Sequence, residues 1–226
     1  MDINCLDCDL CGGCLKGLNK EQMGRLSKSA VRVSFKPGEI ILKQGALASH
    51  IIHLVRGYAR FYLETGDGKN LIVKILKPHE FAGITSLYAN KQYSFSLASL
   101  GETQVCLFEK SVFLSLIQEN NVFSNVINQW YCESHQQVLG KLKIFGSRQL
   151  HGRVADSLLY LADEVFHSDR FNLMLSRKEF AELAGTSKEG LIRILSEMRN
   201  DKIINLNDRE VEIIKRDLLE RIRQIG

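Results

Sequence analysis

Ser176-Arg177-Lys178-Glu179-Phe180-Ala181-Glu182-Leu183-Ala184-Gly185-Thr186-Ser187-Lys188-Glu189-Gly190-Leu191-Ile192-Arg193-Ile194-Leu195 is the stretch that decides how the C-terminal part of this 226-residue chain folds. Serine at an N-cap with glutamate three positions on is a capping box, and it opens a helix through Ala184. Gly185-Thr186-Ser187 breaks that helix, and Lys188 to Arg199 makes a second. Two short helices about a three-residue, glycine-containing turn form a helix-turn-helix. Downstream, Ile203-Ile204-Asn205-Leu206, the turn Asn207-Asp208 and Val211-Glu212-Ile213-Ile214 read as a β-hairpin, hence a wing, and a last helix runs from Arg216 to Arg223.

On the second helix Leu191, Ile194 and Leu195 supply the buried face, while Ser187, Lys188, Glu189 and Arg193 lie at or near its N-terminal end. Arginine pairs bidentately with guanine O6 and N7, glutamate accepts from cytosine N4, and lysine reaches a guanine or a phosphate. These four residues are the candidate reading surface for double-stranded DNA. The plain structural alternative is an intrahelical Glu189 to Arg193 pair, worth ~0.2–0.5 kcal/mol.

Upstream, Val154, Leu158, Leu161 and Val165 mark an amphipathic helix over Arg153–Val165. Before it, Phe123, Ile127, Trp130, Ser134, Val138, Leu142 and Phe145 follow at steps of three or four, one stripe on a helix of more than 20 residues. So long a stripe suits a twin helix in a two-fold homodimer, with burial against the chain's own β domain as the alternative. Cys132 on this helix reads as a packed thiol. From Ala30 to Phe108 the period becomes two, with turns at Lys36-Pro37-Gly38, Gln44-Gly45, Arg56-Gly57 and Gly66-Asp67-Gly68. Short strands at such spacing predict a closed antiparallel roll. Leu18 to Leu26 has the spacing of a short amphipathic helix joining this body to what precedes it.

What precedes it is Cys5-Leu6-Asp7-Cys8-Asp9-Leu10-Cys11-Gly12-Gly13-Cys14, four of the six cysteines within ten residues. A cysteine at every third position lets several thiolates converge on one point, as a soft metal or an iron–sulfur cluster requires. Four thiolates here can hold a cluster or a zinc ion. The net charge of +4 fits an anionic partner without proving one. No signal-peptide pattern and no long apolar window occur, so a cytoplasmic location without membrane insertion is expected, where clustered cysteines are ligands or redox groups more often than disulfides. The six histidines form no ligand pair, and no nucleophile triad, phosphate-cradling loop or carboxylate pair supports an enzyme.

The helix-turn-helix with Lys188-Glu189 and Arg193, together with Phe35-Lys36-Pro37-Gly38-Glu39 and Gly45 at the start of the roll, resembles the CRP/FNR family of bacterial transcription regulators over almost the whole chain. The resemblance implies an α+β architecture: an N-terminal cyclic-nucleotide-binding-like β-roll, a long dimerisation helix and a C-terminal winged helix-turn-helix. Expected boundaries are 1–17 for a cysteine-rich cluster-binding segment, 18–120 for the roll, 121–148 for the dimerisation helix and 149–226 for the DNA-binding domain. The partners so implied are promoter DNA, a second copy of the chain and RNA polymerase.

Two branches of the family differ in their signal. The cyclic-nucleotide branch carries a Gly-Glu pair and later an arginine with a small hydroxyl residue. Here the matching stretches are Phe81-Ala82-Gly83-Ile84-Thr85-Ser86 and Tyr93-Ser94-Phe95-Ser96, without that glutamate or arginine, so no cyclic nucleotide is expected. The oxygen-sensing FNR branch has three cysteines spaced two and then five residues apart, plus a fourth on a strand. Cys5, Cys8 and Cys14 have that spacing and Cys106 is similar to the fourth, which implies a [4Fe-4S] cluster with Cys11 as an alternative ligand. The implied function is oxygen or redox sensing that controls dimerisation and promoter binding. Other readings keep the regulator but sense nitric oxide, haem or thiol oxidation over a zinc or vestigial site, or make the chain a redox or electron-transfer protein. Ile192 stands where the oxygen-sensing branch has a base-contacting serine, so the DNA site is expected to differ.

Overall fold

The computed structural model describes residues 15, 17–66, 68–89 and 91–225, so Cys5, Cys8, Cys11 and Cys14 lie outside the described residues. The chain divides into two compact units. One takes in the residues up to Glu64 and Ile75–Gln137, the other Thr65–Lys74 and the residues from Val138 on.

The first unit opens with helix α1 (Lys20–Lys28), whose Asn19 cap and Gln22 form a reciprocal capping box. Strands β1 (Ala30–Phe35), β2 (Ile40–Leu42), β3 (His50–Arg56), β4 (Ala59–Glu64), β5 (Asn70–Leu76), β6 (Phe81–Ala82), β7 (Ser96–Ser99) and β8 (Thr103–Glu109) follow. They form two four-stranded sheets, ordered β1-β8-β3-β6 and β2-β7-β4-β5. Helix α2 (Lys110–Glu119) and the 27-residue α3 (Asn121–Ser147) come next; β5 up to Lys74 and the part of α3 from Val138 on belong to the second unit. This is the expected roll followed by the expected long helix.

The sheet β1-β8-β3-β6 has two buried faces. Ile52 and Leu54 of β3 and Val105 of β8 turn into the roll, where they join Leu97, Phe95 and Leu76. Ile51, Val55, Cys106 and Phe108 turn the other way, toward Phe113 and Leu116 of α2, Phe123 and Ile127 of α3, and Leu26 of α1. Phe113 is the centre of this outer core: its ring lies 5.6 Å from that of Phe81, 6.2 Å from Phe108 and 5.4 Å from Phe123. Edge-on and stacked pairs of this kind add to the gain from burying the rings.

The stripe on α3 therefore divides. Phe123 and Ile127 are buried on the chain's own roll and Trp130 packs edge-on to Phe81, while Tyr131, Leu139 and Leu142 remain exposed. A helix longer than the sheet beneath it can bury only its first turns there. Cys132, read from sequence as packed, is exposed, because positions 123, 127 and 130, which pack on the roll, fall on another side of the helix.

The second unit contains α4 (Leu150–Tyr160), which continues into a wider π-helical turn, Leu161–Phe166, then β9 (Arg170–Asn172), α5 (Arg177–Ala184), α6 (Lys188–Asn200), β10 (Ile204–Asn207), β11 (Glu210–Ile213) and α7 (Arg216–Ile225). Its core gathers Leu158, Phe171, Phe180, Leu191, Ile194, Ile204 and Val211. The wing has three strands, in the order β10-β11-β9. β9 joins it by antiparallel pairing of Phe171 with Val211.

Replacement of Phe113 by alanine empties the middle of the outer core, and urea unfolding should show a loss of about 3–5 kcal/mol in stability.

Candidate functional site

Cys106 is fully buried in the middle of β8, with Arg32 of β1 on one side in register and His53 of β3 on the other. Residues opposite each other in an antiparallel ladder share a face, so the Cys106 thiol and the His53 ring both turn toward the outer core. His53 sits with its ring 5.1 Å from Phe81 and 6.1 Å from Phe108, and burial holds its pKa down to about 4. The imidazole is therefore neutral near pH 7.

Leu15 belongs to the same outer core as Cys106. It follows Cys14 directly in the chain. Two residues further on, Gly17 runs against the start of α3 in a left-handed conformation (φ 95°), and a Cβ there would stand 2.8 Å from the Val122 side chain. Asn120 ties the joint together. Its amide nitrogen donates to the Gly17 carbonyl and to Gln22 Oε1, each at 2.8 Å, while its Oδ1 accepts from the Phe123 N–H at 3.0 Å. One side chain thus caps α3 and holds the segment that leaves the cysteines. Among the described residues no three His, Cys, Asp or Glu side chains converge as a metal site, and three of the four expected ligands lie outside them.

In the stretch that resembles the nucleotide cassette, Gly83 (φ 93°) leads into a short 3-10 helix, Ile84–Leu87. The buried Ser86 hydroxyl donates to the Gly83 carbonyl at 2.6 Å, and the Lys110 ammonium donates to the Ser86 carbonyl. Nearby in the roll, Phe61 and Phe95 stack with centroids 4.0 Å apart.

The helix-turn-helix forms as its residues dictate. Ser176 Oγ accepts from the Glu179 N–H and Glu179 accepts from the Ser176 N–H at 2.8 Å, completing the capping box. Ser187 caps α6 by accepting from the Gly190 N–H at 3.0 Å. Leu191, Ile194, Leu195 and Met198 are buried, which leaves Ser187, Lys188, Glu189, Ile192 and Arg193 exposed together over the first two turns. Arg193 pairs with Glu197 at 3.2 Å instead of with Glu189. Glu197 also meets His151 of α4 at 2.8 Å, and this hydrogen bond, with help from Arg193, holds its carboxyl below the usual range. Arg177, at the first turn of α5, donates to the Asp208 carbonyl at 2.7 Å and so fixes the wing turn, a role its sequence position did not disclose.

Gly185 ends α5 with φ 61°, and a Cβ on it would stand 2.7 Å from Cε1 of Phe145. The turn between the two helices thus needs glycine for its backbone and for its closeness to the Phe145 ring.

Residues 32–120 match the cyclic nucleotide-binding domain family, and residues 152–222 match the Crp-like helix-turn-helix domain family. The chain is 24% identical over 199 residues to the transcriptional activatory protein AadR of Rhodopseudomonas palustris, covering 86% of this chain and 80% of AadR. It is 24% identical over 221 residues to the transcriptional activator protein FnrA of Stutzerimonas stutzeri, covering 93% of this chain and 88% of FnrA. Among solved structures, FixK2 from Bradyrhizobium japonicum superposes with a TM-score of 0.77 at 18% identity, covering 85% of this chain and 96% of FixK2, a likeness of fold.

Gly185→Ala should lower the stability of the C-terminal unit by about 1–3 kcal/mol through the left-handed backbone alone. Adding Phe145→Ala should relieve the ring clash but not the backbone cost, a partial recovery readable by thermal unfolding of the two variants.

Proposed function

This chain belongs to the CRP/FNR family of DNA-binding transcription regulators, and within that family we propose that it senses oxygen or redox state through a [4Fe-4S] cluster held by Cys5, Cys8, Cys14 and Cys106. The observation that carries the reading is the burial of Cys106 in the outer core that also takes in Leu15, the neighbour of Cys14. A fully buried cysteine in the same core as Phe81, Phe108 and Phe113, with the neutral imidazole of His53 opposite, is a thiol shielded from water, and such a site suits a cluster ligand. When bound, a cluster of this type supplies a joint whose integrity depends on oxygen and redox state. Cys11 is the alternative ligand, and zinc the alternative metal.

The chain's own residues can carry that state onward. Leu15 and Cys106 share a core with Phe113 and Phe123, and Asn120 binds the Gly17 carbonyl while capping α3. A change in how the cysteine segment is held thus bears on the root of the long helix. The exposed Tyr131, Leu139 and Leu142 along that helix are the surface a two-fold homodimer would bury. Two copies then present two α6 helices to the half-sites of a promoter, where RNA polymerase is the further partner. Cyclic nucleotides play no part in this reading: Ser86 spends its hydroxyl on Gly83, and Lys110 is directed to a backbone carbonyl.

Protein purified without oxygen should contain about four irons per chain with matching sulfide and a visible absorption band. Cys106→Ala and Cys14→Ser should each lose the band while keeping the far-ultraviolet spectrum of a folded chain. Stoichiometric zinc, or iron content unchanged in both variants, would sink the proposal.

Asn120→Ala tests the coupling. It should keep its iron, lose about 0.5–2 kcal/mol with the helix cap, and narrow the difference in dimer fraction between anaerobic and air-exposed protein in sedimentation runs.

A further inference from the structure

Ile192 is 43% exposed, although it lies on the solvent side of the one helix that a helix-turn-helix regulator seats in the major groove. It follows Lys188 by four residues and Glu189 by three, which puts those two polar side chains beside it on the same face, and the exposed Arg193 comes next in the chain. The buried side of α6 is already complete with Leu191, Ile194, Leu195 and Met198. Ile192 adds nothing to that core.

We propose that Ile192 is a specificity-determining residue that reads the C5-methyl group of a thymine in each half-site. The inference rests on the DNA-binding reading of α6 and extends it to a particular base. When the helix enters the groove, water leaves this face. A side chain without donors or acceptors then leaves any polar base edge beneath it unpaired, a loss that guanine, adenine and cytosine all incur. Thymine alone offers an apolar group there. Isoleucine is β-branched and stiff at χ1, so little rotamer freedom is given up in holding its methyls against that group. Lys188, Glu189 and Arg193 around it are polar and exposed, which directs the apolar contact to one base step and leaves the neighbouring steps to hydrogen bonding.

The full-length chain, prepared with and without oxygen, is used to select duplexes from a random pool, and the enriched duplex is resynthesised with uracil in place of each thymine in turn. Uracil keeps every hydrogen-bonding group and lacks only the methyl. One thymine per half-site should lose about fourfold in affinity on this change, the worth of a single buried methyl. Ile192→Ser should bind thymine and uracil duplexes equally at that position, and Ile192→Val should retain most of the discrimination. If every thymine can be replaced without effect on the wild-type chain, or if Ile192→Ser keeps the same uracil penalty, the assignment of Ile192 falls while DNA reading by α6 stands. If no sequence is enriched in either preparation, the reading of α6 itself fails and the inference with it. The wild-type comparison of thymine with uracil does not depend on any variant folding.

Discussion

The packing of Phe113 against Phe81, Phe108 and Phe123 is the constraint on which the N-terminal unit depends. These rings come from β6, β8, α2 and α3, so one apolar contact joins the sheet to both helices. Leu15 and Cys106 enter the same core. Close-packed interiors transmit small displacements instead of absorbing them, because voids large enough to take up a shift are rare. A rearrangement near Cys106 is therefore felt at Phe123, in the first turn of α3. The Asn120 side chain adds a polar path over the same short distance, since its two ends hold the Gly17 carbonyl and the Phe123 N–H.

In the C-terminal unit the arrangement of α6 follows from caps more than from charge. Ser187 starts the helix where Gly185 ends the one before, and the two fix the angle at which Lys188, Glu189, Ile192 and Arg193 leave the surface. Arg193 is held by Glu197, which His151 holds in turn. Exposed pairs of this kind contribute little to stability. Their effect is to limit the rotamers of Arg193, which in the proposed reading reduces what must be ordered on binding DNA.

Much of this was legible in the sequence, for reasons that differ by element. The capping box at Ser176 and the glycine at 185 are local signals, and they gave both helices of the motif. The long helix was visible from its apolar period, but the period alone does not say what covers it. Phe123 and Ile127 are buried by the roll, whereas Leu142 of the same stripe is exposed. β3 was hard to read because both of its faces are buried: Ile51, Ile52, Leu54 and Val55 run on without alternation, and His53 sits among them. β9 is three residues long and is a strand only through β11, a partner 40 residues away, so no local pattern reveals it. The burial of Cys106 agrees equally with a core thiol and a ligand. Leu15, in the same core, is the feature that sequence did not single out.

The two cores of the roll lie at different distances from the helices. Along β8, Val105 turns inward and Cys106 outward, because successive side chains of a strand face opposite sides. An event inside the roll acts on Val105, Phe95 and Leu97, and must move the sheet before it reaches a helix. An event at Cys106 acts on side chains that already touch α2 and α3, with no sheet between. In the proposed reading, a sensor on the outer face needs only a short rearrangement to reach α3, and the buried cysteine and the post-cysteine leucine in the same core serve that shorter route.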